Sequence, residues 1–249
     1  MTPSVLEVDG LTKTFGGVDA VQGVSFRVGA GELVALIGPN GAGKTTCFNL
    51  VNGQLAPDAG TVSLEGERID GLPPREIAHR GVGRTFQVAA TFASMTVREN
   101  LQVALLARQG AERELRARAT DRLRPDADAL LERVRMTRFA DQGCATLAYG
   151  DAKRVELALA LAASPRLLLM DEPTAGMSPR SRGRIMDLAA TLAREERIAV
   201  LFTEHDMDVV FGHADRVIVL DRGRIIAEGP PAAIRADARV RAVYLGEDS

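Results

Sequence analysis

The sequence predicts an α/β fold with a parallel-sheet core, an antiparallel β segment near its start and a helical insert in its middle third. Three observations carry that reading. Short, wholly apolar runs, Leu33-Val34-Ala35-Leu36-Ile37, Leu167-Leu168-Leu169-Met170, Ala199-Val200-Leu201-Phe202 and Val217-Ile218-Val219-Leu220, are separated by other patterns. Strands apolar on both faces are what a parallel sheet covered by helices requires. Val5-Leu6-Glu7-Val8 and Val24-Ser25-Phe26-Arg27-Val28 alternate instead, and Thr61-Val62-Ser63-Leu64-Glu65-Gly66 ends in a turn, so these read as half-buried antiparallel strands. From Thr96 the period becomes helical through residues 97–106, and Pro125 opens another helix that carries Ala129-Leu130-Leu131-Glu132-Arg133-Val134.

The 249 residues supply core for a single domain spanning 1–249, with core segments 1–87 and 157–249 and a helical insert at about 88–156. No apolar run approaches the roughly 20 residues of a membrane span, and the first ten residues lack a basic start or a signal-like apolar stretch. A cytoplasmic location is therefore expected. Cys47 and Cys144 lie far apart without metal-type spacing, which predicts two free thiols, the first of them packed inside a helix. A net charge of −2 and a pI near 6.0 give no basic field for nucleic acid. The mixed Arg and Glu between Arg108 and Arg124 read as a solvated helix face or mobile connection in preference to a binding tail, and receive no chemistry.

Directly behind the first apolar run stands Gly38-Pro39-Asn40-Gly41-Ala42-Gly43-Lys44-Thr45, followed by Thr46. The order strand, glycine loop, helix is the one a phosphate cradle needs, so the chain reads as a P-loop NTPase. Gly38, Gly41 and Gly43 open backbone angles that turn successive N–H groups onto phosphate oxygens, and the helix dipole points the same way. Lys44 adds a point charge, and the Thr45 hydroxyl is placed to hold Mg²⁺. Asp171 and Glu172 close a second apolar run before Pro173, at the strand edge where ligands bind in α/β sheets. Beside a triphosphate, Asp171 suits a water-mediated hold on Mg²⁺ and Glu172 suits polarising the attacking water.

Taken together, these motifs resemble, over essentially the whole chain and in order, the ATP-binding subunit of an ABC transporter. The resemblance implies a RecA-like core, an antiparallel β subdomain and an α-helical subdomain, with ATP and Mg²⁺ as ligands. It places Gln87, in Gly83-Arg84-Thr85-Phe86-Gln87, at the glutamine that touches Mg²⁺ and water and senses the membrane subunit. His205 falls at the switch histidine that contacts the γ-phosphate, and Phe15 at the aromatic that stacks on adenine. The signature segment, usually Leu-Ser-Gly-Gly-Gln, is Leu147-Ala148-Tyr149-Gly150-Asp151 here and acts on the ATP of the opposite subunit. Gly150 keeps a close backbone approach and the following helix still points its positive end outward, whereas Ala148 lacks the hydroxyl donor and Asp151 adds negative charge near a triphosphate.

Those departures are similar to the branched-chain amino acid uptake type, as are Arg84-Thr85-Phe86-Gln87, residues 172–179 and Tyr244-Leu245-Gly246-Glu247. Ser178 stands where many members of the family have Asp, which bears on that loop's cross-subunit contact. The resemblance implies a heterodimer with a sister ATPase, two transmembrane permease subunits, an indirect periplasmic solute-binding protein, and a peripheral position on the inner face of the cell membrane. The helical insert is the expected docking surface. Other readings are an importer of urea, amides or aromatic acids, the ATPase of a lipopolysaccharide-type exporter, and a module that holds ATP without turnover. A chromosome-structure ATPase is disfavoured because no heptad run is sustained.

Overall fold

The computed structural model describes residues 4–85, 91–109 and 122–245. Its core is a six-stranded sheet in the order β10 (Arg224–Gly229), β9 (Arg216–Asp221), β3 (Leu33–Ile37), β8 (Ala199–Thr203), β7 (Leu167–Asp171), β6 (Val82–Thr85). The five strands β9, β3, β8, β7 and β6 run parallel, and β10 closes one edge antiparallel to β9. The four wholly apolar runs are four of these strands. Their side chains divide by alternation: Leu33, Ala35, Ile37, Leu168, Met170, Val200 and Phe202 join one core cluster, while Val34, Leu36, Leu167, Leu169, Ala199 and Leu201 join the other. Period-two geometry sends neighbours to opposite faces, so both clusters are filled only because no position in the run is polar.

The second cluster lies against a four-stranded antiparallel sheet, in the order β2 (Val18–Gly29), β1 (Ser4–Phe15), β4 (Ala59–Leu64), β5 (Glu67–Arg68). Strands β1 and β2 extend to 12 residues each, well past the predicted runs. Register shifts between Val8 and Leu11, around Gly10 at φ +59°, let the ladder continue through a bulge that a strict alternation search reads as an end. Helix α1 (Lys44–Val51) packs on the same side, while α2 (Pro74–His79) leads into β6.

On the other face, α3 (Val97–Arg108), α4 (Arg124–Arg133) and α5 (Tyr149–Ala162) share one apolar core through Leu101, Leu105, Leu130, Leu131 and Val155. Thr96 starts α3 with a reciprocal cap: its hydroxyl accepts from Glu99 N at 3.2 Å while Glu99 Oε2 accepts from Thr96 N at 2.7 Å. Helix α5 continues unbroken past residue 156 to Ala162. Four further helices, α6 (Pro179–Glu196), α7 (Met207–His213), α8 (Pro231–Ala236) and α9 (Ala238–Leu245), complete the described chain. Both cysteines are buried and free, and burial pushes the Cys47 thiol up to about 12, which suits packing and not reactivity. Among the described residues no helix is long and apolar enough to cross a membrane.

Candidate nucleotide site

The loop from Gly38 to Thr45 joins the buried end of β3 to the first turn of α1. At Gly38 an added Cβ would lie 2.2 Å from the Leu220 carbonyl oxygen, and at Gly43, where φ is +102°, 2.4 Å from that of Ala20. Backbone on the neighbouring strands thus forbids side chains at both positions. The loop is further fixed by Ala42 N donating to Pro39 O at 3.1 Å and Gly223 N donating to Ala42 O at 3.0 Å. Lys44 is buried, yet its Nζ donates to Gly38 O at 2.6 Å and Pro39 O at 3.0 Å, so its charge is folded back over the loop. Burial lowers the Lys44 pKa, and the nearby Glu172 and Asp171 carboxylates oppose that shift. Thr45 and Asn40 are exposed, Thr46 is half-buried, and residues 39–42 border a hollow of about 460 Å³ with Asp221, Arg222, Ala242 and Val243.

Asp171 and Glu172 emerge beside this loop at the C-terminal end of β7, where Asp171 pairs in register with Thr203 of β8. Buried Asp171 accepts from Thr203 Oγ1 at 2.7 Å on one oxygen and from the Arg84 guanidinium at 3.2 Å on the other. Arg84 also donates to Asn49 Oδ1 at 2.9 Å and Gln54 Oε1 at 3.1 Å, which ties β6 to the end of α1. Glu172 takes a left-handed backbone, φ +46°, and its N–H donates to Thr203 Oγ1 at 3.1 Å. A non-glycine residue in that region stores about 1–3 kcal/mol, repaid here because the turn brings the Glu172 carboxylate 2.8 Å from His205 Nε2. Below them the buried Glu204 carboxylate accepts from Thr174 N at 2.9 Å and from His205 N at 3.1 Å. Arg182 pairs with Asp206, the N-cap of α7, and donates to Met177 O at 3.0 Å, pinning the far end of the same loop.

Lys44, Asp171, Glu172 and His205 are therefore brought to one sheet edge. Phe15 sits at the tip of the β1–β2 hairpin, 45% exposed, with Lys13 Nζ 5.6 Å from its ring centre. Gln87 lies outside the described residues. The signature residues stand apart: Ala148 is the N-cap of α5 without a side-chain cap bond, exposed Tyr149 donates to Ala175 O at 3.1 Å, and Asp151 pairs with Arg154 at 3.6 Å. Leu147 packs on the helical core. Gly150 has ordinary room, since an added Cβ would meet Ser181 at 3.7 Å. Ser178, the N-cap of α6, shares a 3.1 Å hydroxyl contact with Ser181. Arg84, Thr203 and Glu204 hold this edge without having been singled out from the sequence.

The family model described as ABC transporter matches residues 21–175. BraF of Pseudomonas aeruginosa, a high-affinity branched-chain amino acid transport ATP-binding protein, is 42% identical over 260 residues, covering 99% of this chain and 100% of that protein. The chain belongs to the ABC transporter family. As an ATP-binding cassette of that family it binds nucleotide and hydrolyses ATP. A second model, described as branched-chain amino acid ATP-binding cassette transporter, matches residues 224–249 of the cassette. LptB of Haemophilus influenzae, a lipopolysaccharide export system ATP-binding protein, is 37% identical, covering 98% of each chain. Among solved structures, the ADP conformation of MJ1267, an ATP-binding cassette of an ABC transporter, matches with TM-score 0.87 at 31% identity, over 98% of this chain and 100% of that one.

Proposed function

We propose that this cassette energises an importer of branched-chain amino acids, docked on two membrane permease subunits at the inner face and paired with a sister ATPase. A periplasmic binding protein delivers the solute. The 2.8 Å contact between Glu172 and His205, on an edge electrostatically coupled to Lys44, carries the hydrolytic part of the reading. The match of residues 224–249, together with the full-length likeness to BraF, favours the importer over the lipopolysaccharide exporter. A urea, amide or aromatic acid cargo is less supported by the same matches.

ATP sits on the phosphate loop, with its adenine on Phe15 and its phosphates against the amides of residues 38–46 and Lys44. Glu172 takes the proton of the attacking water, held in place by the Thr203 bond to its N–H, and His205 contacts the γ-phosphate while bracing the Glu172 carboxylate. Mg²⁺ keeps waters and phosphate oxygens and needs few protein ligands; Thr45 Oγ1, Asp171 through water, and Gln87 would hold it. When bound, it would supply positive charge against the phosphates. Residues 147–151 of each cassette cover the nucleotide of its partner, so turnover needs two chains.

The test is ATP hydrolysis by the complex reconstituted in liposomes with its binding protein loaded in turn with leucine, urea and an aromatic acid. Stimulation by leucine alone is expected. Stimulation by another solute replaces the cargo, and absence of turnover under every condition overturns the importer reading.

A further inference from the structure

Between α3, α5 and β6 lies an open cavity of about 240 Å³, separate from the phosphate loop. Its walls are mostly apolar, from Val103, Ala104, Ala107, Leu159 and Ala160, with the half-exposed Phe92 ring at the rim. One wall carries Glu156, which is 96% buried by its 4% exposure, and whose Oε2 accepts from Lys153 Nζ at 2.9 Å. Its Oε1 is buried and makes no hydrogen bond at all. An unpaired carboxylate oxygen in such surroundings costs about 1–3 kcal/mol, so it calls for a partner. Burial pushes the Glu156 carboxyl up, and the single ammonium of Lys153 only partly opposes this.

We propose that this cavity seats one lysine or arginine side chain from a cytoplasmic segment of the membrane permease, its apolar stem against Ala104, Ala107 and Leu159 and its charged head on Glu156 Oε1. Charge complementarity at Glu156 selects the occupant: a neutral apolar plug fits the walls and leaves the carboxylate orphaned, while the lining cation Arg84 is already engaged by Asp171, Asn49 and Gln54. The inference rests on the docking reading above and adds to it the chemistry of the anchor. Two chains of contact make the seat consequential. Along one face of α5, Glu156 holds Lys153, whose Nζ stands 5.7 Å from the Tyr149 ring, and Tyr149 reaches Ala175 in the loop after Glu172. Across the cavity, Arg84 lines the opposite wall while holding Asp171. A side chain entering there touches both the signature helix and β6, whose Arg84 holds Asp171.

Two measurements test this. In the isolated cassette, with glutamate carboxyls isotope-labelled and followed by NMR, n-butylguanidinium should shift the Glu156 resonance saturably at millimolar concentration. The neutral control n-pentanol should leave it in place, and the Glu156→Gln variant should lack the signal. In nanodiscs holding the permease pair, Glu156→Gln should bind at least about tenfold more weakly than the parent, while melting and ATP binding of the isolated variant match the parent. Should that variant fold poorly, Ala104→Lys supplies an ammonium in place: it should raise the melting temperature of the isolated cassette and block docking. Equal shifts from pentanol, parent-like docking by Glu156→Gln, or a shift produced by permease-free phosphatidylethanolamine vesicles would each overturn the anchor. A parent cassette that never binds the permease pair would instead remove the docking reading itself.

Discussion

Two glycine-bearing segments of this molecule, the phosphate loop and the signature, each stand at the start of a helix, yet they are held by opposite logic. In the phosphate loop the features at Gly38, Gly43 and Lys44 are demanded from within the chain: the two glycines are pressed by the carbonyls of Leu220 and Ala20, and Lys44 is tied to Gly38 and Pro39. In the signature nothing internal demands glycine at position 150, and the Ala148 cap position makes no side-chain bond. The first segment is finished by its own fold. The second is under no such internal demand at Gly150 or Ala148, which accords with the proposal that it acts on a partner subunit.

The sharpest way to break this contrast is to add the same methyl group on both sides. Gly38→Ala collides with backbone that has nowhere to go, so it should destabilise the isolated cassette by about 2–6 kcal/mol, the sum of overpacking and backbone strain, and abolish measurable ATP binding. Gly150→Ala should leave melting unchanged or raise it by under about 1 kcal/mol, because alanine favours a helix, and still lower turnover in the assembled complex. Thermal melting with nucleotide titration separates the two, and equal loss of stability in both variants would erase the distinction.

Next in size is the chemical step. Glu172→Gln keeps the turn and most of the contact with His205 but cannot accept a proton, so turnover should fall at least about a hundredfold while ATP affinity holds within a few-fold. Single-turnover hydrolysis beside equilibrium nucleotide binding measures this, and near-parental hydrolysis would remove Glu172 from its role as base.

A pH scan distinguishes the halves more gently. Glu32 joins β2, β3 and β9, accepting from Gly29 N at 2.8 Å and from Arg216 at 2.7 Å. Burial alone pushes its pKa up, but the Arg216 and Gly29 hydrogen bonds outweigh burial and the folded value lies below 4.5. A lowered acid pKa gives stability that is present above about 4.5 and is lost as the pH falls through the folded value. Hydrogen exchange should therefore show amides of β3 and β9 losing protection on acidification, with Glu32→Gln less stable at neutral pH by about 2 kcal/mol and flatter in its acid response. Unchanged acid sensitivity in that variant would place the titrating group elsewhere.

What the sequence disclosed follows the same division between local and assembled order. The phosphate loop, the strand runs and Asp171-Glu172 are legible because their chemistry is written in consecutive residues. The clamp around them is not: Arg84, Asp171 and Thr203 meet across β6, β7 and β8 from positions up to 119 residues apart, and only sheet order brings them together. A charged residue inside the short strand β6 was the available signal for Arg84, and a threonine ending the run before Glu204 was that for Thr203. The orphan oxygen of Glu156 has no sequence signature whatever, since a glutamate seven residues beyond Tyr149 on a helix normally faces water.

The smallest expected effect probes the signature directly. Ala148 already adopts extended N-cap angles, φ −62° and ψ 148°, so a serine there needs no backbone change to accept from the first free N–H groups of α5. Ala148→Ser should raise cassette stability by about 1 kcal/mol, seen as a melting increase of a few degrees or less. Two separate consequences then diverge. If the family's serine serves mainly as a helix cap, melting rises and turnover in the assembled complex stays level; if it serves the partner's phosphate, turnover rises as well. Asp151→Gln isolates the charge, because it removes an anion without supplying a cap, and faster turnover from it alone would show that the signature of this chain restrains hydrolysis through electrostatics and not through a missing hydroxyl.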